Sequence, residues 1–309
     1  MHPPGDVPRA LARETGAMSP RRILAVLLAV ATAAAVLTGC ARDHAPDPGT
    51  ASRTIDVDGV SRAYRVHVPA VLSDDPALVV MLHGGLGSAR QAEGAYGWDA
   101  VADASGFVVA YPDGVNRTWN AGDCCGGAER EQVDDVAFVT ALVAELRDAF
   151  GISARRTFAT GMSNGAMMAY RLACETELFA AIAPVAGTIV TACDDPAPAS
   201  VLHIHGLDDG SVRMDGAPGD GVGDVDGMPI ADVIELWRAI DGCGEPVVTE
   251  TPPVSTSSSD CADGRAVTLV TVAGAGHQWP GSVAREGATD QPSDALDATA
   301  VIWEFFDAA

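Results

Sequence analysis

Hydrophobic residues recur along the chain in short runs that alternate with segments of helical periodicity. Residues 53–57 and 63–68 alternate apolar and polar positions around Asp58-Gly59, which predicts a β-hairpin at the start of a domain. A continuous apolar run at 78–82 is typical of a strand that is buried on both faces. Similar runs predict further strands at 107–110, 157–160, 181–185, 201–204 and 266–272.

Amphipathic segments separate these strands. The pattern predicts helices at 89–104, 135–150, 165–174, 230–240 and 293–306. Strands that alternate with helices favour an α/β fold, in which a mostly parallel central sheet is covered by helices on both faces. Asp134 and Asp135 precede one of these helices and are expected to cap it.

Two Gly-rich segments, 113–134 and 211–229, interrupt the alternation and are predicted to be long loops. The second is also dense in Asp, as calcium-binding loops are. It lacks the regular spacing of the known calcium motifs, so we favour a solvated loop.

The first 40 residues have the order of a bacterial signal peptide. Arg21-Arg22 precede an apolar stretch at 23–37, and the small-residue sequence Leu37-Thr38-Gly39-Cys40 ends it. This ending resembles a lipobox, whose cysteine receives a lipid, so Cys40 is the predicted lipid anchor. A plain secretory signal is the alternative, and Met18 is an alternative start of the chain.

A tether over residues 41–52 is expected to join this anchor to one large domain at 53–309. Such a protein would be held at the outer face of the cell membrane, or extracellular if released, and would meet the membrane only through its lipid. The chain has a formal net charge of −23 at pH 7, and removal of the signal makes it more negative. Because no basic patch is left for a phosphate backbone, we expect no nucleic-acid partner.

Six cysteines remain after Cys40, and an exported chain is expected to pair them. Pairs that are close in sequence and bracket a loop are favoured. These are Cys174 with Cys193 and Cys243 with Cys261, so that Cys124 and Cys125 pair with each other or stay reduced. Metal binding is the alternative, but no CxxC or HxxxH spacing accompanies the cysteines, and no metal is expected.

A GxSxG sequence lies where a buried strand is predicted to meet a helix, at Gly161-Met162-Ser163-Asn164-Gly165. In this context the serine is typical of a nucleophile in a tight strand-to-helix turn. The predicted strand at 78–82 runs into His83-Gly84-Gly85. The backbone N–H groups of Gly85 and Asn164 are therefore predicted to form an oxyanion hole, and His83 to fix the loop.

Two further segments supply an acid and a base. The strand at 201–204 leads to Asp208 and Asp209, and a later strand leads to His277 in a Gly-rich turn. The order Ser, Asp, His is that of the α/β-hydrolase triad, with His277 as general base. The aromatic residues Trp119, Trp279 and Tyr111 are candidates for the substrate pocket.

Taken together, seven motifs resemble the extracellular polyhydroxybutyrate depolymerase family, which includes feruloyl and acetylxylan esterases and an actinobacterial lipoprotein branch. They are Tyr111-Pro112-Asp113-Gly114, Trp119-Asn120, Cys124-Cys125-Gly126-Gly127, Val133-Asp134-Asp135-Val136, Gly161-Met162-Ser163-Asn164-Gly165-Ala166, His205-Gly206-x-x-Asp209 and Gly276-His277-x-Trp279-Pro280-Gly281. The similarity runs from about Arg53 to the C-terminus. It implies Asp209 as the triad acid, with Asp208 as the alternative.

The resemblance implies an α/β-hydrolase fold and a secreted serine esterase that works through an acyl-enzyme on Ser163 without a cofactor. The implied substrate is an ester of a hydroxyalkanoate oligomer or of the plant cell wall, and the protein is expected to be a monomer. A serine peptidase on the same fold and a non-catalytic surface-binding lipoprotein are the alternatives. The presence of a Ser, an Asp, a His and a predicted oxyanion hole together argues against a protein that only binds a ligand.

Overall fold

The computed structural model describes residues 47–221, 225–284 and 290–309. The predicted signal peptide and Cys40 lie outside these residues. Within them, one sheet is formed by β1 Gly49–Val57, β2 Val60–Val68, β3 Leu78–Leu82, β4 Val108–Pro112, β5 Thr157–Met162, β6 Ala181–Val185, β7 Ser200–Gly206, β8 Val247–Thr251, β9 Val254–Asp260 and β10 Ala266–Val272.

The α-helices of the described residues are α1 Ala89–Tyr96, α2 Trp98–Ser105, α3 Gly126–Arg130, α4 Asp135–Phe150, α5 Asn164–Glu175, α6 Ile230–Asp241 and α7 Ala298–Asp307. None of these helices is long and apolar enough to cross a membrane.

The strands follow the order β1-β2-β4-β3-β5-β6-β7-β10-β9-β8 across the sheet. The six central strands from β4 to β10 are parallel, whereas the β1–β2 hairpin and the β8–β9 hairpin add antiparallel strands at the two edges. The expected α/β fold with a mostly parallel sheet is confirmed. Because parallel strands end at the same edge, the loops after β3, β5, β7 and β10 lie side by side.

The sheet is covered on both faces because its central strands are apolar throughout. In β3, Leu78, Val80 and Leu82 pack into a cluster with α4, α5 and α6, while Val79 and Met81 pack into a second cluster with α1, α2 and α7. Successive side chains of a strand point to opposite faces, so a run without polar residues fits only a strand buried on both sides.

Several boundaries differ from the predictions. The helix predicted at 89–104 is two helices, because Gly97 adopts a left-handed conformation with φ 75° between them. The last helix begins only at Ala298, where the Asp297 side chain accepts a hydrogen bond from the N–H of Ala300. The predicted tether at 41–52 is wrong for its last residues, because β1 starts at Gly49 and pairs with β2 over its whole length.

Disulfides join Cys174 to Cys193, Cys243 to Cys261 and Cys124 to Cys125 among the described residues. The first two are the pairs that sequence separation favoured. The third takes the paired state of the two alternatives that were open for adjacent cysteines.

Candidate active site

Ser163 lies in the turn between β5 and α5, with φ 56° and ψ −121°. Few non-glycine residues adopt such a conformation, and the surrounding structure must hold it in place. The flanking glycines permit this packing: a Cβ at Gly161 would lie 2.5 Å from the backbone of Gly165, and one at Gly165 would collide with the Leu82 carbonyl oxygen. The GxSxG sequence is thus required by the close approach of β3, β5 and α5.

His277 connects Ser163 to an acid. Its Nε2 lies 2.8 Å from Ser163 Oγ, and its Nδ1 lies 2.8 Å from Asp209 Oδ2. A carboxylate can only accept, so Nδ1 carries the proton and Nε2 is free to accept the hydroxyl proton of Ser163. Asp208, the alternative acid, is exposed to solvent, whereas Asp209 is buried beneath His277.

Asp209 is held as an anion. Burial opposes ionisation, but interactions with His205, His277 and the N–H of Val212 outweigh it and keep the pKa of Asp209 well below its usual range. Its Oδ1 accepts from the N–H groups of Ser211 and Val212, at 2.9 and 2.8 Å. A charged acceptor therefore faces the Nδ1–H of His277.

The loop after β3 lies beside Ser163. Gly84 and Gly85 line the same cleft as Ser163, and a Cβ at Gly85 would lie 3.7 Å from the Cβ of Asn164. Asn164 is the first residue of α5, where N–H groups have no acceptor within the helix. The N–H groups of Gly85 and Asn164 thus belong to two backbone segments that meet next to Ser163.

His83 fixes this loop. Its Nε2 accepts from the N–H of Gly114 at 3.0 Å, so its Nδ1–H donates to the carbonyl of Gly84 at 2.8 Å. Burial lowers the pKa of His83, which keeps the ring neutral and able to play both roles. His83 therefore has the structural part that the sequence indicated.

The loop at 113–134 is hydrogen-bonded to the loop that follows β3. The Trp119 indole N–H donates to the carbonyl of His83 at 2.8 Å. The N–H of Asn120 donates to Asp135, whose other oxygen pairs with Arg62 at 2.6 Å. Asp134 caps α4 as predicted, but Asp135 is fully buried under the loop and was not recognised from the sequence as a loop anchor.

The cleft above Ser163 has a volume of about 180 Å³. Of the three aromatic residues predicted to line it, only Trp279 does. Trp119 and Tyr111 are fully buried and are not among its lining residues, so this prediction is wrong for both. Trp119 lies under the loop that follows β3, and the Tyr111 hydroxyl donates to Asp99 at 2.6 Å.

Part of the wall of the cleft comes from segments that carry no motif. Tyr96, at the end of α1, stacks on Trp279 with ring centroids 4.6 Å apart. Gln91 and Gln278 add amide groups. Asp290 adds a carboxylate, which accepts from the N–H of His277 at 2.8 Å. No sequence signal marked Tyr96, Gln91 or Asp290, because each reaches the site only through the tertiary fold.

No group of three or more His, Cys, Asp or Glu side chains among the described residues could hold a metal ion.

The chain is similar in sequence to proteins described as esterases. Residues 60–235 match the family described as esterase PHB depolymerase. "Putative esterase NocK" of Nocardia uniformis subsp. tsuyamanensis is 35% identical over 281 residues, which is 81% of each chain. Feruloyl esterase C of Emericella nidulans is 30% identical over 221 residues, which is 69% of each chain.

Solved structures give the same fold. The acetyl xylan esterase from Aspergillus awamori aligns with a TM-score of 0.58 over 84% of this chain and 100% of its own, at 17% identity. At this identity the likeness shows the α/β-hydrolase fold alone.

Proposed function

Because the chain belongs to the esterase PHB depolymerase family and is thus a carboxylic ester hydrolase, we propose that it cleaves its ester through an acyl-enzyme on Ser163. The observation that carries this proposal is the pair of 2.8 Å contacts that links Ser163 Oγ to His277 and His277 to Asp209. A serine with a neutral imidazole in this position is activated for attack.

In the first half of the reaction, Ser163 Oγ attacks the ester carbonyl carbon while His277 Nε2 takes the hydroxyl proton. The carbonyl oxygen becomes an oxyanion that accepts hydrogen bonds from the N–H groups of Gly85 and Asn164. The tetrahedral intermediate then expels the alcohol, which receives the proton from His277. The acyl group stays on Ser163.

In the second half, water replaces the alcohol. His277 Nε2 takes one proton from water as the oxygen attacks the acyl carbon, and the new oxyanion uses the same two N–H groups. Collapse releases the carboxylic acid and returns the proton to Ser163 Oγ. Asp209 stays ionised throughout and stabilises the imidazolium that forms in each half.

The size and walls of the cleft support a small acyl group. A volume of about 180 Å³ suits a short acyl chain, and the stacked Tyr96 and Trp279 offer an apolar side. Feruloyl esterase C is a relative of this chain over 69% of its length. We therefore propose acyl esters of plant cell-wall polysaccharides as substrates, with short 3-hydroxyalkanoate oligomers as the second class.

The site of action is proposed to be outside the cell. The disulfides indicate an extracellular protein, because such bonds do not persist in a reducing cytoplasm. We propose that residues 1–40 direct export, that Cys40 carries the lipid anchor, and that the folded domain acts as a monomer.

A panel of esters tests this function. The mature protein, produced through an oxidising export route, is assayed on p-nitrophenyl esters of increasing chain length, methyl ferulate, acetylated xylan and 3-hydroxybutyrate oligomers. We expect hydrolysis of short esters and a loss of at least about 1,000-fold in kcat for Ser163→Ala. A folded wild-type protein that hydrolyses none of these, or a Ser163→Ala variant that retains the activity, would contradict the proposal.

A further inference from the structure

Three buried polar side chains form a row behind Asp209, and none of them takes part in the proposed reaction. Tyr170 lies on α5, and His203 and His205 lie on β7. All three are at most 1% exposed. Residues two apart in a strand point to the same face, so both histidines face α5, with their rings stacked 5.1 Å apart.

The positions of the protons in this row follow from the hydrogen bond at its Val212 end. His205 Nε2 lies 2.8 Å from the carbonyl oxygen of Val212, which can only accept, so Nε2 carries a proton. A neutral ring then has an accepting Nδ1, and this atom lies 2.9 Å from Nε2 of His203. His203 must therefore donate through Nε2, and its Nδ1 accepts from the Tyr170 hydroxyl at 2.7 Å.

The neutral state of His203 agrees with its surroundings. Burial, followed by the neighbouring His205, holds the pKa of His203 well below its ordinary value. Every hydrogen bond from Tyr170 to Val212 thus runs in one direction. Reversal of any one of them would place two donors or two acceptors opposite each other.

The row ends on the turn that holds the triad acid. Both backbone polar groups of Val212 are hydrogen-bonded: its N–H donates to Asp209 Oδ1 at 2.8 Å, and its carbonyl accepts from His205. His205 Nε2 also lies 3.4 Å from Asp209 Oδ2, the oxygen that faces His277. The 2.8 Å contact is the hydrogen bond, and the longer one adds an electrostatic attraction.

We propose that His205, oriented by His203 and Tyr170, is a positioning residue that fixes the 209–212 turn and so holds Asp209 in line with His277. The inference rests on the proposed function, since it assumes that Asp209 orients the catalytic base. His205 touches neither substrate nor the reacting atoms and acts through Asp209 alone.

A double-mutant cycle tests this dependence. We expect His205→Phe to lower kcat about 10- to 100-fold, because a small displacement of a catalytic group has effects of this size, while KM stays within about threefold. In the Asp209→Asn background the same change should lower kcat by less than about threefold, since the group through which it acts is already lost.

His205→Gln and His67→Phe serve as comparisons. Gln keeps a donor near the position of Nε2, so we expect it to restore kcat to within about fivefold of wild type. His67 is also a buried histidine in a strand, bonded to Asp103 and Thr50 away from the cleft. His67→Phe should lower stability but leave kcat unchanged.

Nuclear magnetic resonance of the wild-type protein tests the proton assignment without any variant. Nitrogen-15 spectra at neutral pH should show neutral Nε2–H rings for both His203 and His205. An Nδ1–H ring or an imidazolium at either position would overturn the proposal. It would also be overturned if His205→Phe were folded with wild-type kcat, or lost the same factor in both backgrounds. Failure of the proposed function itself would instead appear as full activity of the Asp209→Asn and Ser163→Ala single variants.

Discussion

The side-chain amide of Asn164 holds the backbone of Trp119 by two hydrogen bonds, accepting from its N–H at 2.7 Å and donating to its carbonyl at 3.0 Å. Asn164 directly follows Ser163, whereas Trp119 lies in the loop at 113–134. Because the Trp119 indole also donates to the carbonyl of His83, this pair joins the turn at Ser163, the loop at 113–134 and the loop that follows β3.

Asn164→Ala should therefore loosen the site while keeping the backbone N–H that is proposed to bind the oxyanion. The buried N–H of Trp119 would lose its partner, and its carbonyl would keep only the N–H of Cys125, which should lower the free energy of unfolding by about 1–3 kcal/mol. We expect kcat to fall about 10-fold as the loop moves. Urea unfolding and steady-state kinetics on p-nitrophenyl acetate check both values, and unchanged values would show that the two hydrogen bonds from Asn164 to Trp119 are dispensable.

Asp135 and Arg62 form a buried ion pair below the same loop. Asp135→Ala should lower the free energy of unfolding by about 3–5 kcal/mol, because it leaves the buried Arg62 guanidinium without its anionic partner. Replacing both residues, as in Arg62→Met with Asp135→Leu, should recover much of this loss. Urea unfolding of the three variants measures the effect, and a double variant no more stable than Asp135→Ala would contradict the account.

Asp241 makes stability depend on pH in mildly acidic solution. It is buried at the end of α6 and accepts from Arg265 at 2.7 Å, and burial raises its pKa to about 6. A raised pKa means that the folded state binds the proton more tightly than the unfolded chain, whose carboxyl titrates near about 4. Its stabilising contribution is present below about pH 4 and is lost as the pH rises to about 6, a change of about 3 kcal/mol.

Asp241→Asn should abolish this part of the pH dependence. Urea unfolding from pH 4 to pH 7 is the measurement, with wild type beside the variant. The same slope in both proteins would show that another group titrates in this range.

The two longer disulfides should stabilise the fold to a similar degree, since Cys174–Cys193 and Cys243–Cys261 close loops of nearly equal length, with sequence separations of 19 and 18. Replacement of either pair by serine should lower the free energy of unfolding by about 3 kcal/mol, because the unfolded chain regains its conformational freedom. Chemical unfolding measures this loss, and no change in stability for either pair would argue against the bond.

Sequence patterns predicted the central strands and the placement of Ser163, Asp209 and His277 because these depend on local chemistry. β3 has no polar residue, and only a strand covered on both sides suits it. The GxSxG turn, likewise, is defined by glycines that allow backbone contact. Residues at the ends of neighbouring parallel strands meet at one edge of the sheet, so chain order was enough to propose the triad.

What the sequence did not reveal depends on contacts between distant segments. The β8–β9 hairpin is rich in Ser, Thr and exposed positions, so it shows no apolar pattern. Trp119 was expected at the cleft, but its ring is buried under the loop that follows β3, where its indole N–H donates to the carbonyl of His83. Tyr96 and Asp290 reach the cleft from α1 and from the segment before α7, and neither lies in a recognisable motif.

The central claim is that Ser163 is the nucleophile, and reaction with diethyl p-nitrophenyl phosphate tests it most directly, because this ester phosphorylates an activated serine and releases one p-nitrophenolate. We expect one equivalent to be released as activity is lost, with the phosphoryl group mapped by peptide mass spectrometry to Ser163, and no labelling of Ser163→Ala or of urea-unfolded protein. Labelling of another residue together with loss of activity, or full activity after labelling of Ser163, would contradict the account.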